Sequence, residues 1–207
     1  MTINPKWILR FARFVSVLFH PLWIPVISLA ILQSKTGLSD TGHSYSLILG
    51  FFVFFTIVLP LLVVLLMMKT TRVHSLHLEK REDRQIPLMI TGMGFWVLFL
   101  ILGYFDPKSL LVVMLRGMIL ITLAVFFISL FWKISIHMAA WGGFFVFLIL
   151  LHNTEGTSCL NTIVMIGPFL LLVGVARIVT KAHDAAQVLA GFAVGVCFMW
   201  ISGLLSA

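Results

Sequence analysis

Arg177-Ile-Val-Thr-Lys-Ala-His183-Asp-Ala-Ala-Gln187-Val-Leu-Ala-Gly191 is a polar segment that lies between two long apolar stretches near the C-terminus. It gathers an arginine, a lysine, a histidine and an aspartate in a short run, whereas the stretches on either side carry no charge. Such a polar cluster is costly in so apolar a chain, so it requires a reason. The segment therefore predicts both where two membrane spans end and where a polar site lies.

The composition of the whole chain is that of an integral membrane protein. Its 207 residues are 61% hydrophobic and only 10% charged, and the mean hydropathy is +1.14. Soluble domains carry about 25% charged residues. We therefore expect an all-α fold, a polytopic helix bundle that forms one membrane domain over residues 1–207. Cys159 and Cys197 have no metal-binding or disulfide spacing.

Seven apolar stretches approach the roughly 20 residues that a helix needs to cross a bilayer. They cover about 14–32, 46–68, 87–105, 109–131, 138–151, 161–176 and 186–205. The fifth and sixth are short, so the prediction is six or seven transmembrane helices. Prolines inside the first, second and sixth stretches predict kinks. His20, which precedes Pro21, is interpreted as a capping or kink residue.

The net charge of +7 is distributed unequally between the two membrane faces. With seven spans, the N-terminus and the loops 69–86, 132–137 and 177–185 share one face, which holds eleven basic residues against two on the other. The positive-inside rule places the richer face in the cytoplasm. We expect a bacterial inner-membrane protein whose basic loops meet lipid headgroups or phosphates, and no nucleic-acid partner. Arg116 lies within the fourth span, where it must extend to the headgroups if it faces lipid and needs a partner if it faces the bundle.

The three loops on the basic face hold the residue types that phosphate chemistry uses. Arginine and lysine bind phosphoryl oxygens. A histidine can attack phosphorus, and a second histidine can protonate the leaving oxygen and then activate water. Few carboxylates are available on this face to hold a metal, so we expect a route without a metal or other cofactor.

The spacing of these residues resembles the signatures of the type-2 phosphatidate phosphatase superfamily. The segment from Arg177 through His183 to Gln187 is similar to the third signature, Ser-Arg-x5-His-x3-Asp, and Lys133-Ile-Ser-Ile-His137 is similar to the second, Pro-Ser-Gly-His. Lys80-Arg-Glu-Asp-Arg-Gln-Ile-Pro87 resembles the first, Lys-x6-Arg-Pro, more loosely. The resemblance covers about residues 69–195, and the first span lies outside it.

The resemblance implies a role for each matching residue. His183 would be the nucleophile and His137 the acid and base for the leaving group. The phosphoryl oxygens would be held by Arg177, Ser135, Lys80, Arg81 and Arg84. The substrate would be a phospholipid phosphate or an isoprenoid diphosphate, hydrolysed without a metal.

The chain departs from the family pattern at several positions. Gln187 stands where the family has the aspartate that orients the histidine, although its amide oxygen can still accept a hydrogen bond from the imidazole. The adjacent Asp184 points elsewhere on a helix. These departures keep open a non-catalytic descendant that binds or transports phosphorylated lipids. A prenyltransferase-like enzyme ranks below both, because the sequence has no pair of Asp-rich motifs for magnesium.

Small residues in the fifth and seventh spans predict a close helix pair. They are Ala139, Ala140, Gly142 and Gly143 in one span and Ala190, Gly191, Ala193 and Gly195 in the other. Such residues allow membrane helices to approach closely. Because both spans directly follow a signature, we expect their packing to bring His137 near His183.

Overall fold

The computed structural model describes residues 6–36, 45–70, 81–105, 108–154 and 159–206. These residues form helices joined by short connections, and none of them belongs to a strand. The predicted all-α class is therefore confirmed. The α-helices are α1 (Lys6–Leu18), α2 (Ile24–Thr36), α3 (Tyr45–Val53), α4 (Leu59–Lys69), α5 (Gln85–Phe105), α6 (Leu110–Phe131), α7 (Ile136–Thr154), α8 (Leu160–Val179) and α9 (Ala185–Leu204).

Seven segments of the described chain are long and apolar enough to cross a membrane. They are Lys6–Thr36, Tyr45–Lys69, Glu82–Tyr104, Leu110–Phe131, Ile136–Asn153, Leu160–Val179 and Ala185–Leu204. This confirms a multi-pass membrane bundle. The fifth and sixth segments contain 18 and 20 residues, so both are longer than the sequence predicted. The first combines α1 with α2, and the second combines α3 with α4.

The prolines affect their spans differently. The first span breaks after α1, where Pro21–Trp23 form a short 3₁₀ turn before α2 begins. His20 caps this turn, because its Nδ1 accepts a hydrogen bond of 3.3 Å from the Leu22 N–H, as the capping interpretation predicted. In the second span a π-helical turn, Phe54–Val58, precedes Pro60. Pro168 lies inside α8 without ending it.

Helices α7 and α9 form the most extensive helix pair among the described elements. A Cβ atom added at Gly195 would overlap the Ala139 carbonyl oxygen and would lie 2.7 Å from the Gly143 nitrogen. One added at Gly191 would lie 2.5 Å from the Ser135 carbonyl oxygen. The two backbones therefore touch at Gly191 and Gly195, where glycine removes the side chain, and the predicted pairing of the fifth and seventh spans is confirmed.

Arg116, for which the sequence suggested no partner, binds the C-terminal end of α9. Its Nε lies 3.2 Å from Ser202 Oγ, and its Nη2 lies 3.1 Å from the Ser202 carbonyl oxygen and also bonds Ser206 Oγ. The last carbonyl groups of a helix have no intrahelical donor, and the helix dipole favours a cation there. Arg116 therefore caps α9 and holds it against α6.

Replacing Gly195 with alanine should destabilise the bundle by about 1–3 kcal/mol, because the added methyl group overpacks a contact between two backbones. Gly167→Ala, on α8, is the matched control, since a Cβ atom there would meet nothing within 4 Å. Thermal unfolding in detergent, followed by tryptophan fluorescence, compares the two variants. Equal melting temperatures for both would contradict a direct backbone contact at Gly195.

Candidate functional site

A cavity of about 1000 Å³ opens into the bundle at the end where the α6–α7 and α8–α9 connections lie, which we call the basic end. Its walls there carry cations and histidines, and no aspartate or glutamate is among the described residues that line it. The cationic and imidazole side chains are Arg13, His20, Arg84, Lys133, His137, Arg177, Lys181 and His183. This charge pattern suits an anion.

Away from the basic end, the walls of the cavity become apolar. On α7 the lining continues from His137 through Phe144 to Phe147. At a rise of about 1.5 Å per residue, the ten steps from His137 to Phe147 cover about 15 Å along the helix, which is roughly half of a bilayer core. Phe95 and Met199 line the same region from α5 and α9. The cavity therefore connects a charged end to an apolar interior.

The α8–α9 connection fixes the position of His183. Lys181 adopts a left-handed backbone with φ of 54°, and the Ala182 and His183 N–H groups then both donate to the Arg177 carbonyl oxygen, at 3.1 and 3.2 Å. A side chain at positive φ is uncommon and concentrates at functional sites. Asp184 accepts a 2.8 Å hydrogen bond from the Gln187 N–H and so begins α9. The carboxylate of Asp184 thus points elsewhere than the imidazole, as predicted.

Gln187 orients the His183 ring. The amide oxygen Oε1 of Gln187 lies 2.9 Å from His183 Nδ1. An amide oxygen only accepts hydrogen bonds, so Nδ1 carries the proton and Nε2 keeps its lone pair. The Gln187 carbonyl oxygen also accepts a 3.3 Å hydrogen bond from the Ser135 N–H. One residue therefore orients His183 and joins it to the connection that holds His137.

The pKa of His183 is lowered from its usual 6.5 to about 4. Burial is the largest cause, since the residue is only 6% exposed. The Gln187 hydrogen bond acts in the opposite direction, while the charges of Arg84, Arg177 and Lys133 lower the pKa further. The imidazole is consequently neutral at pH 7, the form in which Nε2 is a nucleophile.

His137 enters the cavity from the first turn of α7 and is 8% exposed. Its Nε2 lies 3.0 Å from the Ser16 carbonyl oxygen. A carbonyl oxygen only accepts hydrogen bonds, so Nε2 carries a proton and donates a hydrogen bond to the Ser16 carbonyl oxygen. Nδ1 is then the nitrogen of His137 that can exchange a proton with a ligand.

Arg84 and Arg177 both line the cavity that contains the two histidines. Arg84 is buried, with 5% of its surface exposed, and it adjoins Asp83 in the chain. Arg177 is half-buried, and its Nε lies out of contact with solvent without a hydrogen-bond partner. A buried guanidinium N–H that lacks a protein partner is a ready donor for an anionic ligand.

Two other predicted phosphate ligands, Ser135 and Arg81, are not among the residues that line the cavity. Ser135 is fully buried and caps α7, since its hydroxyl oxygen accepts from the Met138 N–H at 3.4 Å, and it is not among the residues that line the cavity. Arg81 forms a 2.7 Å ion pair with Glu82 and donates to the Phe131 carbonyl oxygen, so it fastens the start of the third span to the end of α6. Lys80 lies outside the described residues.

The first span also lines the cavity, and the sequence interpretation did not assign it to the site; its lining residues include Arg13, Ser16 and His20. The signal was present in the spacing. Lys6, Arg10, Arg13, Val17 and His20 recur at helical intervals, so they share one face that leads from the basic end to the cavity. A histidine at a proline break inside an apolar span is itself a functional indication.

Nuclear magnetic resonance titration of histidine-labelled protein should give His183 a midpoint near 4, because burial and nearby cations oppose its protonation. In the unfolded chain the same imidazole binds a proton near pH 6.5. The unfolded state therefore binds more protons than the folded state between about pH 6.5 and 4, and the free energy of unfolding decreases as pH falls through that range. His183→Gln should reduce that loss of stability. A midpoint near 6.5 would show that the ring is solvated.

No protein-family model, no curated protein and no solved structure matches this chain. Among the described residues, no group of three His, Cys, Asp or Glu side chains is arranged to hold a metal ion.

Proposed function

We propose that this protein is a membrane-embedded phosphatase that hydrolyses a lipid phosphate or an isoprenoid diphosphate through a phosphohistidine. One observation carries the proposal: a single cavity joins His137, His183, Arg84 and Arg177 to an apolar interior about 15 Å deep. A ligand that fits both ends has an anionic head and a hydrocarbon chain. The resemblance to the type-2 phosphatidate phosphatases suggests the same chemistry from the spacing of the same residues.

In the first step, Arg84 and Arg177 bind the phosphoryl oxygens and neutralise their charge. Lys133 and Lys181, which also line the basic end, add positive charge. The Nε2 lone pair of His183 attacks phosphorus, and the bond between phosphorus and the leaving oxygen breaks. The leaving oxygen takes a proton from Nδ1 of His137, which carries that proton once the negative charge of the bound phosphate stabilises the imidazolium.

In the second step, the Nδ1 of His137, which now has a lone pair, removes a proton from water. The water oxygen attacks the phosphorus of phosphohistidine 183, the N–P bond breaks and inorganic phosphate leaves. His137 is then protonated again and His183 is neutral again, so both residues return to their starting forms. Gln187 keeps Nδ1 of His183 protonated throughout and thereby directs Nε2 towards phosphorus.

The bias of eleven basic residues against two supports a site on the cytoplasmic side of a bacterial inner membrane. The apolar lining supports a substrate whose chain remains at membrane depth while its phosphate occupies the basic end.

A second function, phosphorylated-lipid binding or transport without hydrolysis, is favoured by Gln187. A carboxylate at this position would stabilise the imidazolium that develops when His183 is phosphorylated, and a neutral amide gives less support. The binding geometry would be unchanged, and the two functions differ in whether phosphate is released.

Purified protein should release phosphate from a panel of lipid phosphates and isoprenoid diphosphates, both with and without a metal chelator. His183→Ala should lower the rate by at least about 10³-fold, since the nucleophile is lost. His152→Ala, at the other end of α7, is the control and should retain the rate.

Release of phosphate by the His183 variant at the normal rate would refute the phosphohistidine intermediate. A well-folded protein that binds these lipids but releases nothing would favour the second function.

Gln187→Glu should raise both the pKa of His183 and the rate of phosphate release. The substituted carboxylate occupies the position of the amide, 2.9 Å from Nδ1, and stabilises the charged ring. Gln187→Leu should lower both quantities, because the hydrogen bond that raises the pKa is lost. Titration of His183 and the phosphate assay measure the two effects. A glutamate variant with a lowered pKa would mean that the side chain no longer faces the ring.

A further inference from the structure

The first span brings a third histidine to the basic end of the cavity. His20 lines the same cavity as His137 and His183, although it precedes them by more than a hundred residues. Its ring packs edge-to-face against the ring of His137, with centroids 5.1 Å apart and planes at 79°. The resemblance to known phosphatases begins near residue 69 and leaves His20 without a role.

The break that presents His20 is built into the packing of α7. The first span stops being helical before Pro21, which has no N–H, and α2 begins only after the 3₁₀ turn. Two α7 side chains donate to carbonyl oxygens just before this break: His137 Nε2 to that of Ser16 at 3.0 Å, and Trp141 Nε1 to that of Phe19 at 3.1 Å. His20 therefore directly follows a segment whose carbonyl groups are held by α7.

The same segment fixes which nitrogen of His20 carries the proton. Nδ1 accepts from the Leu22 N–H at 3.3 Å, so this nitrogen keeps its lone pair. An imidazole retains at least one proton, which must then be on Nε2. His20 is consequently a neutral donor. It adds a hydrogen-bonding group to a wall that already carries Arg13, Arg84 and Arg177, without adding another positive charge.

We propose that His20 is a further ligand-binding residue of this site, whose Nε2–H donates a hydrogen bond to an oxygen of the bound phosphate group beside His137. The inference deepens the proposed function, since it takes the ligand to be a lipid phosphate. It requires only that the site binds a lipid phosphate, and it holds whether or not the phosphate is hydrolysed. A fixed neutral donor at this position would hold the oxygen near the atom that His137 protonates.

Two substitutions separate this role from helix capping. His20→Asn places an amide oxygen at the position of Nδ1, and asparagine is a good capping residue, so the turn is kept while the Nε2–H donor is lost. His20→Gln places an amide N–H near the position of Nε2 and removes the acceptor that caps the turn. The probe is hexadecylphosphonate, whose carbon–phosphorus bond is not hydrolysed, and its binding is measured by calorimetry in detergent.

We expect His20→Asn to melt at the wild-type temperature and to bind the phosphonate at least tenfold more weakly, and His20→Gln to recover at least threefold of that loss. The inference is overturned if His20→Asn binds as the wild type does, or if it binds better than His20→Gln. If His20→Asn fails to fold, the comparison of His20→Gln with His20→Ala decides, and equal binding by these two overturns the inference. Wild-type protein that binds the phosphonate but hydrolyses nothing would refute only the phosphatase.

Discussion

The contact between the backbones of α7 and α9 is the constraint on which the rest of the site depends. Gly195 lies against the Ala139 carbonyl group, and Gly191 lies against that of Ser135. In a bilayer, hydrophobic burial contributes little to association between helices, so the close packing of small residues has to stabilise the helix pair. Because each helix begins just after a polar connection, bringing the two backbones together also brings His137 and His183 to one cavity.

The broken first span completes that cavity and explains how an interrupted helix is tolerated at membrane depth. Inside a bilayer, a carbonyl group without a helical donor must find another partner. The imidazole of His137 and the indole of Trp141 provide two such partners. The hydrogen bond from His137 to Ser16 has two effects: it satisfies a backbone carbonyl of the first span, and it fixes the tautomer of His137. Structure and proposed chemistry thus depend on the same hydrogen bond.

The electrostatics of the cavity favour a neutral nucleophile surrounded by cations. Arg84, Arg177 and Lys133 all lower the pKa of His183, and burial lowers it more. A neutral ring among cations suits the binding of an anion and the proposed attack by Nε2. The same cations disfavour the charged ring that would form after attack. A carboxylate would stabilise that charge, whereas Gln187 supports the ring only through its amide oxygen. In the proposed mechanism, the rate therefore depends on how far phosphate binding offsets the charge on the ring.

The sequence by itself determined the seven apolar spans, the order of the polar connections and the pairing of His183 with Gln187, because hydropathy and helical spacing depend on neighbours in the chain. Only the tertiary structure decided which side chains face the cavity. In the folded protein Ser135 caps a helix and Arg81 forms an ion pair. Arg116 binds the end of α9, and His20 lines the cavity. These placements depend on contacts such as that between Ser16 and His137, which are 121 residues apart, and no local pattern encodes such a contact.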